Sequence, residues 1–483
     1  MAQVRPARGA RGSLLIDGEW VEPPGDPDLP VVDPSTGELL GHVAAARDEH
    51  VTAALAAAER CFTTWSRTSP EERGTILRSA ADLLSVRAET DSRVLTEEQG
   101  KPLTESLAEI HSVVAMLRWF ADHTRADGRR QPGGQPEHEV HVEARPIGPV
   151  VVLTPWNFPV SLASRKVAAA LAVGCSVIVK PAPEAPTAFL GVAHALQEAG
   201  LSDGVLGVLN GDSATIAQAL VRSPVTRAVS FTGSTPVGRL IASLAGEHVK
   251  PATLELGGHA PVIVTDDVDP EDVAEQLVPA AFLNAGQVCV SPTRILVQEG
   301  IADDFVTAFV DRVNRLRVGP GTRADTDMGP VALGRHRQRV QRLVERTVDA
   351  GGVLRTGGNS LPGAGWFMAP TVLTEVPRSA ALMNEEPFGP VVAINRYRTD
   401  DHALAEANRL PVGLAAYVYC RDATRADAVS DRVEAGTVGV NTCSLLHVDS
   451  SLGGIKDSGH GRDGGFEGMA EFRVARTVTR RRP

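Results

Sequence analysis

The sequence contains no run of apolar residues that approaches the ~18 needed to cross a bilayer. Its basic N-terminus, Met1–Arg11, is followed by no apolar segment long enough for a signal peptide. Lysine is scarce and the net charge is −11, so no basic patch suits nucleic acid. These absences argue against a membrane protein, a secreted protein and a nucleic-acid partner.

Cysteine is also rare, and no two cysteines form a Cys-x-x-Cys pair. The cysteines are Cys61, Cys175, Cys289, Cys420 and Cys443. This wide spacing excludes a disulfide scaffold and a zinc site, and it is typical of reduced thiols in a cytoplasmic protein. The segment His138–Arg145 alternates like a β-strand, which places His138 and Glu139 on opposite faces. We interpret these residues as a solvated hairpin face and predict no metal site.

The composition is that of a soluble globular enzyme. Hydrophobic residues make up 43% and charged residues 22% of a chain of 483 residues, which is too long for one ordinary core. From Pro149 onward, strand and helix patterns alternate. The predicted strands are 150–153, 176–179, 205–209 and 228–231, and the predicted helices are 162–172, 185–199 and 214–220. This order predicts an α/β fold with a parallel, doubly wound sheet, whose ligands bind beyond the carboxyl ends of the strands.

Further elements flank this block. Helices are predicted before it at 48–65, 70–96 and 103–123, the second with Ser69 as its N-cap and Pro70 in its first turn. A second αβ block is predicted from Gly258. Its strands are 261–264, 294–297, 391–395 and 415–419, and its helices are 270–283, 301–316, 335–350 and 422–433. Residues 472–480 alternate like an edge strand.

Cys289 is the centre of the stretch Phe282–Pro292, where Asn284, Gly286 and Gln287 lead into it. These small and polar residues predict a close approach of the backbone. A thiol reacts as its thiolate, and the surroundings of the sulfur determine how much thiolate exists. Because buried inert cysteines are commoner than catalytic ones, Cys289 becomes a candidate nucleophile only together with the motifs that follow.

A phosphate-binding turn is indicated where the strand 228–231 ends. Phe231–Gly238 contains Gly-x-x-x-x-Gly, with Gly233, Ser234 and Gly238 at the start of a helix. Free N–H groups and the helix dipole at such a terminus favour a phosphate group. A plain strand-to-helix turn has the same pattern, so the motif alone leaves both interpretations open.

Two polar residues in apolar settings complete the candidate site. Glu255 stands between two leucines and before two glycines, where desolvation should raise its pKa and suit it as a general base. The alternative is an exposed loop acid. Asn157 stands between two aromatic residues. Its amide either satisfies structural hydrogen bonds or directs an N–H towards a developing oxyanion.

The candidate groups together indicate one kind of reaction. They are the thiol of Cys289, the amide of Asn157, the carboxylate of Glu255 and the phosphate-binding turn. A thiolate adds to an aldehyde while the amide and a backbone N–H hold the oxyanion. Hydride then leaves to a nicotinamide, and the carboxylate activates water to cleave the thioester. We therefore predict an oxidoreductase that acts on a small aldehyde.

Seven motifs are specific and occur in a consistent order. They are Pro-Trp-Asn-Phe-Pro at 155–159, Lys-Pro at 180–181, Phe-Thr-Gly-Ser at 231–234, Glu-Leu-Gly-Gly at 255–258, Gly-Gln-Val-Cys at 286–289, Glu-Glu-Pro-Phe-Gly-Pro at 385–390 and Ser-Gly-His-Gly-Arg at 458–462. With them the chain resembles the aldehyde dehydrogenase superfamily from about Leu14 to the C-terminus. The resemblance implies that Cys289 is the nucleophile, that Glu255 is the deacylating base, and that Asn157 and the Cys289 N–H form the oxyanion hole.

The resemblance also implies an NAD or NADP site. Lys180 would hold the adenosine ribose, Ser234 the pyrophosphate and Glu386 the nicotinamide ribose, with Phe388 near the ring. Further implied contacts are Thr154, Pro155, Trp156, Pro183, Gly233 and Gly238. Family members that use NAD often have glutamate three residues after the lysine, where this chain has Pro183 followed by Glu184. This departure leaves the preference between NAD and NADP open.

The family fold implies a division of the chain. A modified Rossmann, dinucleotide-binding domain would comprise residues 1–123, 147–257 and 458–471. An α/β catalytic domain would comprise residues 258–457, and a small β bridging element residues 124–146 and 472–483. Such proteins are usually homodimers or homotetramers, and we expect one of these assemblies.

Within the superfamily the chain is most similar to the succinate-semialdehyde dehydrogenase-like group. Arg165, eight residues after Asn157, could point into the substrate channel, or it could be a surface arginine. Leu283 replaces an arginine that this group often has six residues before the cysteine, so one expected carboxylate contact is missing. A semialdehyde such as succinic semialdehyde is the expected substrate. The alternatives are an uncharged aliphatic or aromatic aldehyde, and a catalytically silent binding or structural member of the family.

Overall fold

The computed structural model describes residues 13–23, 28–125, 129–132 and 138–481. The strands in these residues are β1 (Leu14–Ile16), β2 (Glu19–Val21), β3 (Asp28–Val32), β4 (Leu39–Ala44), β5 (Arg129–Pro132), β6 (His138–Pro146), β7 (Val150–Leu153), β8 (Val177–Lys180), β9 (Leu206–Val208), β10 (Ala228–Thr232), β11 (Ala252–Glu255), β12 (Ala260–Val264), β13 (Pro292–Gln298), β14 (Val353–Thr356), β15 (Thr371–Thr374), β16 (Val391–Tyr397), β17 (Val412–Gly413), β18 (Ala415–Tyr419), β19 (Thr437–Val440), β20 (Ile455–Lys456), β21 (Gly459–His460) and β22 (Arg473–Arg481). The α-helices are α1 (Asp48–Trp65), α2 (Pro70–Gln99), α3 (Leu103–Asp122), α4 (Pro159–Val173), α5 (Leu190–Glu198), α6 (Ser213–Arg222), α7 (Thr235–Glu247), α8 (Pro270–Phe282), α9 (Ala302–Val313), α10 (Gly334–Asp349), α11 (Asp400–Ala407), α12 (Ala423–Ser430) and α13 (Gly465–Ala470).

The first sheet has the strand order β2-β1-β9-β8-β7-β10-β11-β21. Its central strands β9, β8, β7, β10 and β11 are parallel. Apolar side chains of the sheet pack against α2 to α5 on one face and against α1, α6 and α7 on the other. The predicted parallel, doubly wound sheet is therefore confirmed.

The second sheet has the order β14-β15-β16-β13-β12-β18-β19 and is parallel except for β14. The predicted strands at 261–264, 294–297, 391–395 and 415–419 are all present within β12, β13, β16 and β18. Strands β14, β15 and β19 were not predicted. Each of these has only four residues, too few for a clear hydrophobic period.

A three-stranded antiparallel sheet lies apart from these two, in the order β22-β6-β5. β22 pairs with β6 along its whole length, from Arg473 opposite Pro146 to Arg481 opposite His138. The alternating segment 472–480 is thus an edge strand, as its pattern predicts. The three sheets are formed by different segments of the chain, but the exact boundaries of the domains stay a prediction.

Local sequence signals explain where some helices begin. α2 begins at Pro70, and the Ser69 hydroxyl accepts the N–H of Glu72 at 3.1 Å as its N-cap. The prediction of a helix at 185–199 is wrong at its start, because α5 begins only at Leu190. Pro186 lacks an N–H and disfavours a helical conformation in the residue before it, so the helix cannot start there.

None of the described helices combines the length and apolar character that a membrane-crossing segment requires.

Candidate active site

The candidate site is a cleft lined by the segments at the carboxyl ends of β7, β10 and β11. β7, β8, β10 and β11 are parallel neighbours, so their carboxyl ends lie along one edge of the sheet. The cleft at this edge has a volume of about 370 Å³. Its lining residues are Pro155, Trp156, Asn157, Leu162, Thr232, Gly233, Ser234, Glu255, Leu256, Gly257, Cys289, His336, Arg339, Glu386 and Phe388. The cleft therefore brings the three predicted catalytic residues together with most of the predicted cofactor contacts.

The chain reaches Cys289 through a left-handed turn. Asn284, Ala285 and Gly286 have φ values of 49°, 53° and 70°, in a region that costs an alanine roughly 1–2 kcal/mol. A Cβ atom on Gly286 would lie 2.2 Å from the carbonyl oxygen of Gly389. The expected close approach of the backbone is confirmed, and only glycine fits at this position.

The thiol of Cys289 lies in an environment that disfavours its charge. Burial raises the pKa of Cys289 well above its usual value, and the nearby carboxylates of Glu255 and Glu386 raise it further. Its own N–H and that of Val290 act in the opposite direction. Without a ligand, the thiol is therefore neutral near neutral pH and needs a base or a favourable charge to react.

Glu255, the last residue of β11, is 1% exposed. Neither of its carboxylate oxygens has a hydrogen-bond partner among the described residues. Burial raises the pKa of Glu255 to about 8, and the charge of Asp463 adds to this effect. Lys166 opposes it and forms a buried ion pair with Asp463. Glu255 can thus exchange a proton near neutral pH, as a general base must, and an exposed loop acid is excluded.

Asn157 is 3% exposed, and its side-chain Nδ2 donates to the carbonyl of Gln287 at 3.0 Å. An amide nitrogen carries two hydrogens, so this bond leaves one of them for another acceptor. Its Oδ1 has no partner among the described residues. The backbone carbonyl of Asn157 accepts from Lys101 and Asn284. The residue is therefore held in place while part of its amide stays available.

Polar groups suited to a dinucleotide lie at the carboxyl ends of β7, β8 and β10. Thr232 and Ser234 line the cleft, whereas the predicted contacts Thr154 and Lys180 do not. Ser234 is the N-cap of α7 but makes no capping hydrogen bond with its side chain, and the hydroxyls of Thr154 and Thr232 are buried without partners among the described residues. Lys180 donates to the hydroxyl of Ser213 at 2.5 Å, and burial lowers the pKa of Lys180 to about 8. The unpaired hydroxyls and the Lys180 ammonium fit the phosphates and hydroxyls of NAD or NADP.

The loop that contains Glu386 and Phe388 closes the cleft. Glu386 accepts the N–H of Gly258 at 3.4 Å, and burial raises its pKa to about 8. Phe388 has a left-handed φ of 47° and its ring meets Trp156 edge-on at 5.6 Å. Arg339 donates to the carbonyl of Glu386 at 3.2 Å.

Six lining residues were not among the predicted site residues: Leu162, Thr232, Leu256, Gly257, His336 and Arg339. Of these, His336 and Arg339 have ionisable side chains. Both lie on α10 and contact the loop that contains Phe388, whose carbonyl is 2.5 Å from Nε2 of His336. They sit in a strongly polar helical segment that looks like any solvated surface helix, so the sequence carries no signal for them.

Several predicted contacts lie beside the cleft and do not line it. Arg165 is 7% exposed, so the alternative of a surface arginine is wrong, and its Nη1 donates to the carbonyl of Ser450 at 3.2 Å. Leu283 is 38% exposed at the end of α8. Gly238 faces Leu256, whose Cδ2 would lie 2.3 Å from a Cβ atom there. Pro183 is half-buried beyond β8.

The fold and the cleft are those of an α/β dehydrogenase, and comparisons define the family. The model of the aldehyde dehydrogenase family matches residues 20–478. A 4-(hydroxymethyl)benzenesulfonate dehydrogenase of Comamonas testosteroni is 41% identical over 460 residues, covering 95% of this chain and 96% of the relative. A succinate-semialdehyde dehydrogenase of Paenarthrobacter nicotinovorans is 40% identical over 442 residues, covering 91% and 98%. The crystal structure of betaine aldehyde dehydrogenase from Staphylococcus aureus in complex with NAD+ has a TM-score of 0.96 and 33% identity, covering 98% and 96%.

The chain belongs to the aldehyde dehydrogenase family. It is an NAD(P)-dependent oxidoreductase that acts on aldehydes.

Proposed function

We propose that Cys289, Glu255 and Asn157 carry out the oxidation. The observation that supports this is their convergence on one cleft, where the Glu255 carboxylate is fully buried yet unpaired among the described residues. The thiol of Cys289 gives its proton to the ionised Glu255 carboxylate, which passes it to solvent, and the thiolate forms a bond to the aldehyde carbon. The second amide hydrogen of Asn157 and the Cys289 N–H donate to the resulting oxyanion. When bound, NAD(P)+ accepts the hydride that leaves this carbon.

Loss of the hydride leaves a thioester on Cys289, which water must cleave. Glu255 removes a proton from that water, which attacks the acyl carbon, and the thiol is released with the carboxylic acid. A variant without the Cys289 thiol tests the first step: Cys289→Ala should still bind the cofactor but should not produce NAD(P)H. Turnover by Cys289→Ala at more than a few per cent of the wild-type rate would assign the nucleophile elsewhere.

We propose that the cofactor occupies the cleft beside Ser234 and Glu386 and extends from it to Lys180 at the end of β8. Lys180 would donate to the adenosine ribose, Ser234 and Gly233 would face the pyrophosphate, and Glu386 would accept from the nicotinamide ribose. Phe388 and Trp156, with Thr154 and Pro155, would border the nicotinamide.

We propose that the substrate is an aldehyde with a distal acidic group, such as succinic semialdehyde. Both relatives described above are named for compounds with an acidic group, a sulfonate in one case and a carboxylate in the other. In this chain, Arg165 is a buried cation on α4, the helix that follows Asn157, although it does not itself line the cleft. Leu283 offers no second charge, so Arg165 would be the main attraction.

Matched aldehydes test this assignment. We expect kcat/KM to be about tenfold or more higher for succinic semialdehyde than for butanal, because one charge-assisted contact has an effect of this size. The kcat/KM for 4-formylbenzenesulfonate should exceed that for benzaldehyde by a similar factor. Arg165→Met should remove the preference within each pair while uncharged aldehydes keep their rates. A wild type that prefers benzaldehyde and butanal would show instead that an uncharged aldehyde is the substrate.

We also propose the domain division given by the family pattern, a cytoplasmic location, and a homodimer or homotetramer. The five free cysteines support a reducing compartment. Val237 and Leu240 of α7 are 43% and 64% exposed, which gives this helix an apolar face suited to burial against a second copy. Sedimentation velocity of the wild type and of Leu240→Glu measures the assembly. A monomeric wild type would disprove the proposed homodimer or homotetramer.

A further inference from the structure

Lys101 is a buried lysine whose ammonium group contacts the backbone of Asn157. The residue is 1% exposed. Its Nζ donates to the carbonyl oxygen of Asn157 at 2.8 Å and to Oε2 of Glu109 at 2.7 Å, and it lies 3.8 Å from the centroid of the Phe158 ring. A desolvated charge needs such partners. Here they are on α3 and on the segment that leads from β7 into α4.

The same ion pair fixes the beginning of α4. No side chain at the N-cap of this helix forms a capping bond. Instead, Oε1 of Glu109 accepts the N–H groups of Val160 at 3.1 Å and Ser161 at 2.9 Å. A carboxylate at a helix N-terminus is favoured by the helix dipole. Lys101 and Glu109 together therefore hold the backbone on both sides of Phe158.

The segment before the thiol contacts the same carbonyl group. Nδ2 of Asn284 donates to the carbonyl of Asn157 at 2.9 Å, while Oδ1 of Asn284 accepts from Gln99 at 2.7 Å. Oε2 of Glu105 accepts the backbone N–H of Asn284 at 2.9 Å. On the other side of Asn157, its amide donates to the carbonyl of Gln287 at 3.0 Å. The carbonyl of Asn157 thus joins the two segments that carry the amide and the thiol.

We propose that Lys101 is a positioning residue for the oxyanion hole. It touches no reacting atom and acts through Asn157, so the inference rests on the oxyanion role proposed above for that residue. With Lys101 the Asn157 carbonyl has two donors that fix its peptide plane; without Lys101 it has one. The amide then samples orientations in which it misses the oxyanion, which slows hydride transfer but leaves the distant Lys180 end of the cofactor site unchanged.

Two variants and one control separate positioning from simple support of the fold. Lys101→Met removes the ammonium but leaves the charge of Glu109 buried, which is strongly destabilising. Lys101→Met/Glu109→Gln removes both charges and is the variant to use if the single change does not fold. Lys250→Met is the control, because Lys250 also donates to two backbone carbonyls, those of Val221 and Ser223, but lies away from the cleft.

The measurements are the single-turnover rate of NAD(P)H formation, the Kd of the cofactor that the wild type uses better (NAD+ or NADP+) from fluorescence titration, and the melting temperature. Asn157→Ala should lower the single-turnover rate about 100- to 1000-fold, as loss of an oxyanion donor does. The Lys101 variants should lower it about tenfold or more, with the Kd within about twofold. Lys250→Met should lower only the melting temperature. In an Asn157→Ala background, removal of Lys101 should cost less than about twofold more, because the two residues act as one unit.

Three outcomes would overturn the proposal. A single-turnover rate in the Lys101 variants equal to wild type, with Asn157→Ala strongly impaired, would refute the role of Lys101 alone. If removal of Lys101 lowers the single-turnover rate as much in the Asn157→Ala background as in the wild type, Lys101 acts by a route that does not involve Asn157. An unimpaired Asn157→Ala would refute the oxyanion role itself and the inference with it.

Discussion

Gly258 lies so close to the thiol segment that a Cβ atom on it would be 2.9 Å from the carbonyl oxygen of Cys289. On its other side the nearest atom, the Cβ of Leu414, would be 3.1 Å away. The position after Glu255-Leu-Gly therefore has no room for a methyl group, and a larger residue must displace one of the two neighbours.

We expect Gly258→Ala to lower kcat/KM by roughly 10- to 100-fold, because a shift of about 1 Å at a reacting group has effects of this size. Gly246→Ala is the matched control. A Cβ atom there meets nothing within 4 Å, and the residue lies in α7, so this change should leave activity unchanged and raise stability by about 0.5–1 kcal/mol. Wild-type kinetics in Gly258→Ala would contradict this expectation and show that the methyl group does not displace Cys289.

The second prediction concerns deacylation and its pH dependence. Glu255 must be ionised to accept a proton from water, and burial raises its pKa to about 8. The rate of thioester hydrolysis should therefore rise about tenfold per pH unit below that value and level off above it. Glu255→Gln should give one burst of NAD(P)H and then stall at the thioester. Stopped-flow traces from pH 6 to 9 measure both effects, and steady turnover by Glu255→Gln would contradict the assignment.

The third prediction concerns stability and a buried acid far from the cleft. Asp91 on α2 is 4% exposed, and its Oδ2 has no hydrogen-bond partner among the described residues. Burial raises the pKa of Asp91 from 3.8 to about 6. The folded state thus prefers the neutral acid, and the free energy of unfolding falls as pH rises from about 4 to about 6, by up to roughly 3 kcal/mol.

Asp91→Asn should therefore stabilise the protein at pH 8 and remove this pH dependence. Glu98→Gln on the same helix should have the opposite sign, because both oxygens of Glu98 accept hydrogen bonds, from Thr187 and from the N–H of Ala188. An amide NH2 there would face donors and should cost about 1–3 kcal/mol. Urea unfolding at pH 5 and pH 8 compares the two variants, and a destabilised Asp91→Asn would show that its charge has a partner.

Short motifs and their order predicted the parts of this protein that local chemistry determines. The parallel sheet and the close approach of the backbone at Gly286 were predicted because hydrophobic periods and glycines are local signals. The strand β11, which ends at Glu255, was not predicted, because it has only four residues. The contact of Lys101 with Asn157 joins residues 56 apart in the chain, and no local pattern marks it. His336 and Arg339 likewise reach the cleft only through the packing of α10. The predicted start of α5 at residue 185 was wrong because the Ala-rich pattern of 185–199 was followed and the helix-disfavouring effect of Pro186 was not considered.

The last prediction concerns the cofactor. A glutamate three residues after Lys180 would lie about 5 Å from a 2′-phosphate and repel it by roughly 3 kcal/mol at an effective dielectric of about 20, which is about a hundredfold in affinity. Pro183 has no charge, and Glu184 is paired with Arg335 at 2.6 Å. Lys180 remains available to attract a phosphate. We expect kcat/KM for NADP+ to be within about tenfold of that for NAD+, well short of that repulsion.

Two variants identify the residue that decides this preference. Pro183→Glu should lower kcat/KM for NADP+ about a hundredfold with little change for NAD+, because it restores the repulsion. Glu184→Gln is the control and should change neither value by more than about twofold if Glu184 stays with Arg335. If the wild type instead uses NADP+ less than about one-hundredth as well as NAD+, and Glu184→Gln restores NADP+ use, then Glu184 leaves Arg335 and takes over the position at the ribose.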